Sequence, residues 1–138
     1  MLLGSLVVSR FLSLVAHFVV TIIIFLSKDA NVKACLPLQY TDSEFSSKDT
    51  ELIIGLSLTL VFLGVEFGGF LGGCSMFSGT ASMFSIAAHS SAAIALSMFV
   101  LEEWDCEKFW YVFGFCSAFP VVMETFVLLG VLVFRADR

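Results

Sequence analysis

The sequence predicts an all-α membrane protein in which four transmembrane helices form an antiparallel bundle. The 138-residue chain is 59% hydrophobic and only 14% charged, and its mean hydropathy is +1.00. Soluble domains are about 45–50% apolar and about 25% charged, and a chain this short cannot bury the excess in one soluble globule. Four apolar stretches also reach the roughly 20 residues that a helix needs to cross a bilayer.

The four predicted spans cover residues 7–26, 52–71, 82–101 and 109–134, within a single domain over residues 1–138. Each stretch is continuously apolar, which favours helices over the alternating strands of a membrane barrel. The first span has the length of a secretory signal. However, no basic residue precedes Arg10, and the charged stretch SKDANVKA follows the span. We therefore expect the first span to remain in the protein.

The connections between the spans differ in polarity. Residues 27–50 form a long polar loop, residues 72–81 an uncharged loop, and residues 102–108 a short acidic loop. With four spans both termini share one side of the membrane, and Arg10 and Arg135 lie close to span ends on that side. Because lysine and arginine near span ends favour the cytoplasmic side, we expect both termini in the cytoplasm.

Two cysteines, Cys35 and Cys106, fall in the two loops on the face opposite the termini. In an oxidising compartment they form a candidate disulfide. Two free thiols are the alternative, because the sequence does not give the distance between them. The cysteine spacing matches no zinc pattern, so we expect neither a metal nor a cofactor.

Three ionisable residues, Glu66, His89 and Glu124, fall within the predicted spans. Such groups are costly in a bilayer, so they usually face the bundle and pair with a partner. At a rise of 1.5 Å per residue, Glu66 and His89 lie roughly 8 and 10 Å from the same membrane edge, and Glu124 about 15 Å. A short loop suggests that their two spans are antiparallel neighbours. We favour structural hydrogen bonds, with a proton relay or ion path as the alternative.

Glycines recur at four-residue spacing along the second span, in two adjacent lines: Gly64, Gly68 and Gly72, then Gly69 and Gly73. Small residues at this spacing let two helices approach closely in lipid. We expect these glycines to pack within the bundle, with a surface for a partner helix as the alternative.

A proline, Pro120, lies inside the fourth span. Proline has no backbone N–H to donate, so the carbonyl of Cys116 loses its helical partner. The sequence therefore predicts a kink at Pro120, one turn before Glu124.

The chain lacks the features of an enzyme or a nucleic-acid-binding protein. It has no HExxH metal motif, no glycine-rich phosphate loop and no nucleophile motif. Its net charge is −5 and it has no basic block, which argues against nucleic acid as a partner. We expect a non-enzymatic protein whose immediate partner is membrane lipid.

Six segments, in order along the chain, make the sequence resemble the transmembrane protein 107 family over nearly its whole length. They are SRFLSLVAH (9–17), ACLPL (34–38), VEFGGFLGGCSMF (65–77), SIAAHSSAAIALSMF (85–99), EEWDC (102–106) and FCSAFP (115–120). Several ordered matches at matching spacing are more specific than a shared hydropathy profile.

The resemblance implies a structural role at the ciliary transition zone, with both termini cytoplasmic. The family works there with tectonic, B9-domain and other multi-span proteins to control the protein content of the ciliary membrane. It supports ciliogenesis and so affects Hedgehog signalling. Two alternatives come from the residues and the layout. One is a small transporter or proton- or ion-conducting protein using Glu66, His89 and Glu124, and the other is a MARVEL-like trafficking protein.

Overall fold

Four helical segments of the chain are long and apolar enough to cross a membrane. The computed structural model describes residues 2–73 and 75–136. The four segments are Leu2–Ser27, Asp42–Leu71, Gly79–Leu101 and Cys106–Ala136. Their order and positions confirm the predicted all-α membrane class.

Six helices build these segments and the outer connection. They are α1 (Leu2–Ser27), α2 (Asp29–Ala34), α3 (Asp42–Leu71), α4 (Gly79–Leu101), α5 (Cys106–Phe113) and α6 (Phe119–Ala136). A π-helical turn at Gly114–Ala118 joins α5 to α6, so these three elements form one continuous fourth span.

The helices are arranged so that α3 and α4 face each other across the bundle. α1 packs most extensively along α4 and also contacts α3, while the fourth span contacts both α3 and α4. The expectation that α3 and α4 are side-by-side neighbours is therefore wrong. Gly73, in the connection that follows α3, has a φ of 76°, a left-handed conformation that glycine adopts without strain.

The polar segment at residues 27–50 is largely helical, whereas the sequence predicted a loop. It contains α2 and the first nine residues of α3. A capping box starts α3 early, because the Thr41 side chain accepts from the Glu44 N–H and the Glu44 carboxylate accepts from the Thr41 N–H. These contacts satisfy two backbone donors that would otherwise lack helical partners.

The outer half of the bundle has an apolar core. Its buried members come from every helix except α6, and they are Ile24, Val32, Leu52, Leu56, Leu96, Phe99, Cys106 and Phe109. α2 is fixed over this core by Asn31, whose amide donates to the carbonyls of Phe99 and Trp104 at 2.7 and 2.9 Å. The Phe99 carbonyl lies in the last turn of α4 and Trp104 follows that helix, so Asn31 joins α2 to the end of α4.

The fourth span departs from regular α-helix just before Pro120. In the π-helical turn, the Phe119 N–H donates to the Gly114 carbonyl five residues earlier. Proline and π turns are two common causes of helix distortion. The irregularity thus begins on the N-terminal side of the proline at which the sequence predicted a kink.

Candidate functional site

A buried ion pair lies in the half of the bundle nearer the termini. The Arg10 Nη2 donates to the Glu124 Oε2 at 2.9 Å, and the two side chains are 1% and 2% exposed. Arg10 also donates from Nε to the Ser85 hydroxyl at 3.1 Å, and from Nη1 to the carbonyl and hydroxyl oxygens of Ser75. One guanidinium therefore joins α1, α4, α6 and the α3–α4 connection.

A second set of buried polar contacts links α1, α4 and α3. The Nδ1 atoms of His17 and His89 are 2.8 Å apart, and the His89 Nε2 lies 2.6 Å from the Glu66 Oε2. All three side chains are buried. Glu66 and His89 meet although their helices lie across the bundle, because both side chains point to its centre.

Glu66 and Glu124 also line one small cavity with Arg10 and Ser85. Its volume is about 10 Å³, and its remaining walls come from Ala81, Phe84, Phe119, Pro120 and Met123. We call Arg10, His17, Glu66, His89 and Glu124 the polar cluster. The cavity lies between its two halves, since one glutamate of each half lines it.

The sequence reasoning missed two members of the polar cluster, Arg10 and His17. It treated Arg10 as an interruption near a membrane edge, and it did not count His17 among the ionisable residues inside spans. A signal for both was present, because the buried polar side chains of α1 follow helical spacing: Arg10, Ser13, His17 and Thr21. Positions three, four and seven residues apart share one helix face.

The predicted glycine lines divide between the inside and the outside of the bundle. Gly64, Gly68 and Gly72 are exposed, and a Cβ added at Gly64 or Gly68 meets nothing within 4 Å. The expectation that this line packs within the bundle is wrong. Gly69 is buried against the Glu124 carboxyl group, while Gly73 forms the turn after α3.

Replacing Gly69 by alanine is expected to destabilise the protein by about 1–3 kcal/mol, as overpacking does in other cores. The added Cβ would overlap the Glu124 Oε1, and that carboxylate cannot move aside without weakening its ion pair with Arg10. Gly68→Ala is the matched control, because it gains the same helix propensity without a clash. Thermal unfolding in detergent micelles measures the difference, and equal melting temperatures for the two variants would contradict it.

The outer end of the bundle is held by a disulfide and by ion pairs. Cys35, just after α2, is joined to Cys106 at the start of α5. The Lys28 ammonium pairs with Asp49 of α3 and lies 3.6 Å from Asp29. Hydrogen bonding to Asp49 raises the pKa of Lys28, although partial burial acts in the opposite direction.

The described residues contain no group of three or more His, Cys, Asp or Glu side chains arranged to hold a metal ion. The groups of the polar cluster contact one another instead: Arg10 pairs with Glu124, and Glu66 is hydrogen-bonded to His89. Chemically, its groups can hold the helices together and can bind or exchange protons.

Comparisons with known proteins find similarity along nearly the whole chain. The family model TMEM107, described as "Transmembrane protein", matches residues 6–128. The chain is similar to transmembrane protein 107 of Mus musculus, with 52% identity over 129 residues that cover 94% of this chain and 92% of the mouse protein. Identity to the Homo sapiens protein is 50% over 135 residues, covering 98% and 95%. The Danio rerio protein is 46% identical over 128 residues, covering 93% and 95%. No solved structure matches the chain.

Proposed function

Because the chain belongs to the transmembrane protein 107 family, we propose that it is a non-enzymatic structural component of the membrane assembly at the ciliary transition zone. The supporting observation is similarity to that family over more than nine-tenths of the chain. In this role the protein supports cilium formation and helps control which membrane proteins enter the cilium. Hedgehog signalling is affected downstream.

We assign both termini to the cytoplasm. The disulfide between Cys35 and Cys106 supports this orientation, because disulfides persist outside the cytosol and are rare within it. Arg135 in the last turn of α6 lies on the opposite side from the disulfide, as the positive-inside rule requires.

The exposed glycine line of α3 is the surface by which we expect the protein to join its assembly. Gly64, Gly68 and Gly72 leave a shallow strip on the outside of the bundle. A transmembrane helix of another transition-zone protein can approach such a strip closely and gain van der Waals contact. The expected partners are the multi-span members of the assembly that also contains tectonic and B9-domain proteins.

The polar cluster supports a second candidate function, the transport of protons or ions, because ionisable groups inside a membrane often mark such a path. Two observations favour the structural role. Arg10 is paired with Glu124 and Glu66 is hydrogen-bonded to His89 within the bundle. The core on the outer side of His89 is packed with the apolar residues Leu56, Leu96 and Phe99.

Localisation in ciliated cells tests the proposed function. A tagged copy is expected to form a narrow band between the basal body and the axoneme, when each is stained with its own marker. Diffuse plasma-membrane or endosomal signal, from a tag shown not to disturb folding, would contradict the proposal and favour a MARVEL-like trafficking role.

The same assay with the variant Gly68→Leu distinguishes a loss of assembly from a loss of folding. This variant is expected to fold normally, since nothing lies within 4 Å of the new Cβ, but to lose most of its signal in the band and most of its co-purified partners. Gly130→Leu in α6 is the matched control, because Gly130 has the same open space around it. If Gly68→Leu recovers its partners as well as Gly130→Leu does, the glycine line is not the assembly surface.

A further inference from the structure

The charges of the polar cluster do not cancel when both of its glutamates are ionised. Arg10 supplies one positive charge, and Glu66 and Glu124 supply two negative charges when both are ionised. His17 on α1 and His89 on α4 are the titratable groups that face Glu66, while Arg10 faces Glu124. All five side chains are at most 3% exposed. An uncompensated charge in such surroundings is costly, and buried groups usually avoid it by taking up or releasing a proton.

The hydrogen-bond chain has a place for that proton. The chain runs from the Glu66 Oε2 through both nitrogens of His89 to the His17 Nδ1, and each of its two contacts needs one hydrogen. The atoms at its two ends, the Glu66 Oε1 and the His17 Nε2, have no partner among the described residues. A proton added to the Oε1 of Glu66 keeps both contacts intact and makes the cluster neutral.

The cavity lies against the Glu66 end of this chain. Glu66 and Glu124 both line it, and the Oε1 atom of each carboxyl group is buried without a partner in the described chain. A buried polar atom without a hydrogen-bond partner lowers the free energy of unfolding by about 1–3 kcal/mol. A volume of about 10 Å³ is close to the minimum for one water molecule, and it excludes larger ligands.

We propose that the cavity binds one water molecule between Glu66 and Glu124, and that this water delivers one proton to a site formed by Glu66, His89 and His17. The proton comes from bulk water by way of a hydronium at the cavity. A new O–H bond forms at the Glu66 Oε1 as one O–H bond of the hydronium breaks, and neutral water remains. The same charge count is reached when the added proton ends on the His17 Nε2 instead of the Glu66 Oε1. The shared proton then moves from the His17 Nδ1 to the His89 Nδ1, so that His17 stays neutral, His89 is the imidazolium and Glu66 is ionised.

Infrared and ¹⁵N-histidine NMR spectra of the purified protein in lipid nanodiscs test the proton site. At neutral pH the wild-type protein is expected to show either a protonated carboxyl band or one imidazolium signal. Glu66→Gln removes the charge imbalance, so that signal should be lost, whereas Glu51→Gln, at an exposed carboxylate, should leave it unchanged. Neither signal in the folded wild-type protein would overturn the proposal. This wild-type result decides the question even if Glu66→Gln fails to fold.

The role of the water is tested separately by filling the cavity. Ala81→Val adds two methyl groups to the cavity wall without touching a titratable residue. The proton signal should remain, while its exchange after transfer into D₂O should slow. Exchange at the wild-type rate would show that protons reach Glu66 by another path and would overturn the assignment of the cavity as the entrance.

Discussion

Replacing Arg10 by methionine is expected to destabilise the protein by about 3–5 kcal/mol, the usual cost of removing one partner of a buried ion pair. The variant leaves Glu124 without its 2.9 Å contact, and it removes the hydrogen bonds to Ser85 and Ser75. Because the guanidinium joins three helices and a connection, we expect a lower melting temperature in micelles and less protein at the membrane of expressing cells.

Removing both charges should restore much of this loss. The double variant Arg10→Met with Glu124→Met replaces the pair by apolar side chains of similar length, a change that is often neutral or stabilising in other proteins. Arg135→Met removes an exposed arginine and serves as the control for loss of positive charge. Wild-type stability for Arg10→Met, or no recovery in the double variant, would contradict this account of the ion pair.

Breaking the Cys35–Cys106 disulfide is expected to lower stability by about 4 kcal/mol, according to the loop-entropy model for a separation of about 70 residues. The two cysteines are 71 positions apart in the chain, so the bond closes a loop that contains α3 and α4. Without it, α2 is held at the outer end by the two hydrogen bonds of Asn31, by the Lys28–Asp49 ion pair at its start and by side-chain packing.

Thermal unfolding with and without reductant measures the contribution of the disulfide. Reductant should lower the melting temperature of the wild-type protein but not that of the Cys35→Ser, Cys106→Ser double variant, which begins at the lower value. Cys116→Ser is the control, because Cys116 is a free, half-buried cysteine. A wild-type melting temperature that does not respond to complete reduction would refute the predicted stabilisation.

Hydropathy predicts the spans of this protein well, because the length and apolar character of a membrane helix are properties of the sequence alone. It does not predict which face of each helix is buried. Lipid and the bundle interior are both apolar, so leucine and phenylalanine occur on both sides: Leu14 is buried, whereas Leu12 is 60% exposed. In α1 the inner face is marked by the regularly spaced polar residues Arg10, Ser13, His17 and Thr21.

The contacts within the polar cluster show what the sequence of a single span does not predict. Estimates of depth placed Glu66 and His89 at a similar level, and the structure brings them into contact. The pairing of Arg10 with Glu124, 114 positions apart, depends on how α1 and the fourth span are rotated about their axes. The glycines of α3 show the same dependence, since Gly68 and Gly69 are consecutive but lie on the outer and inner faces.

The π-helical turn at Gly114–Ala118 affects the direction in which the side chains of α6 point around the helix axis. A π turn accommodates one residue more than an α-helical turn, and each α-helical residue advances the chain by about 100° around the axis. Glu124 comes after the turn and faces Arg10 with the extra residue taken up there. If the same residues were wound as a regular α-helix, Glu124 would be rotated by about 100° around the axis, away from Arg10. The winding of this turn, and not the identity of its exposed members Gly114 and Phe115, therefore aligns the carboxylate with the guanidinium.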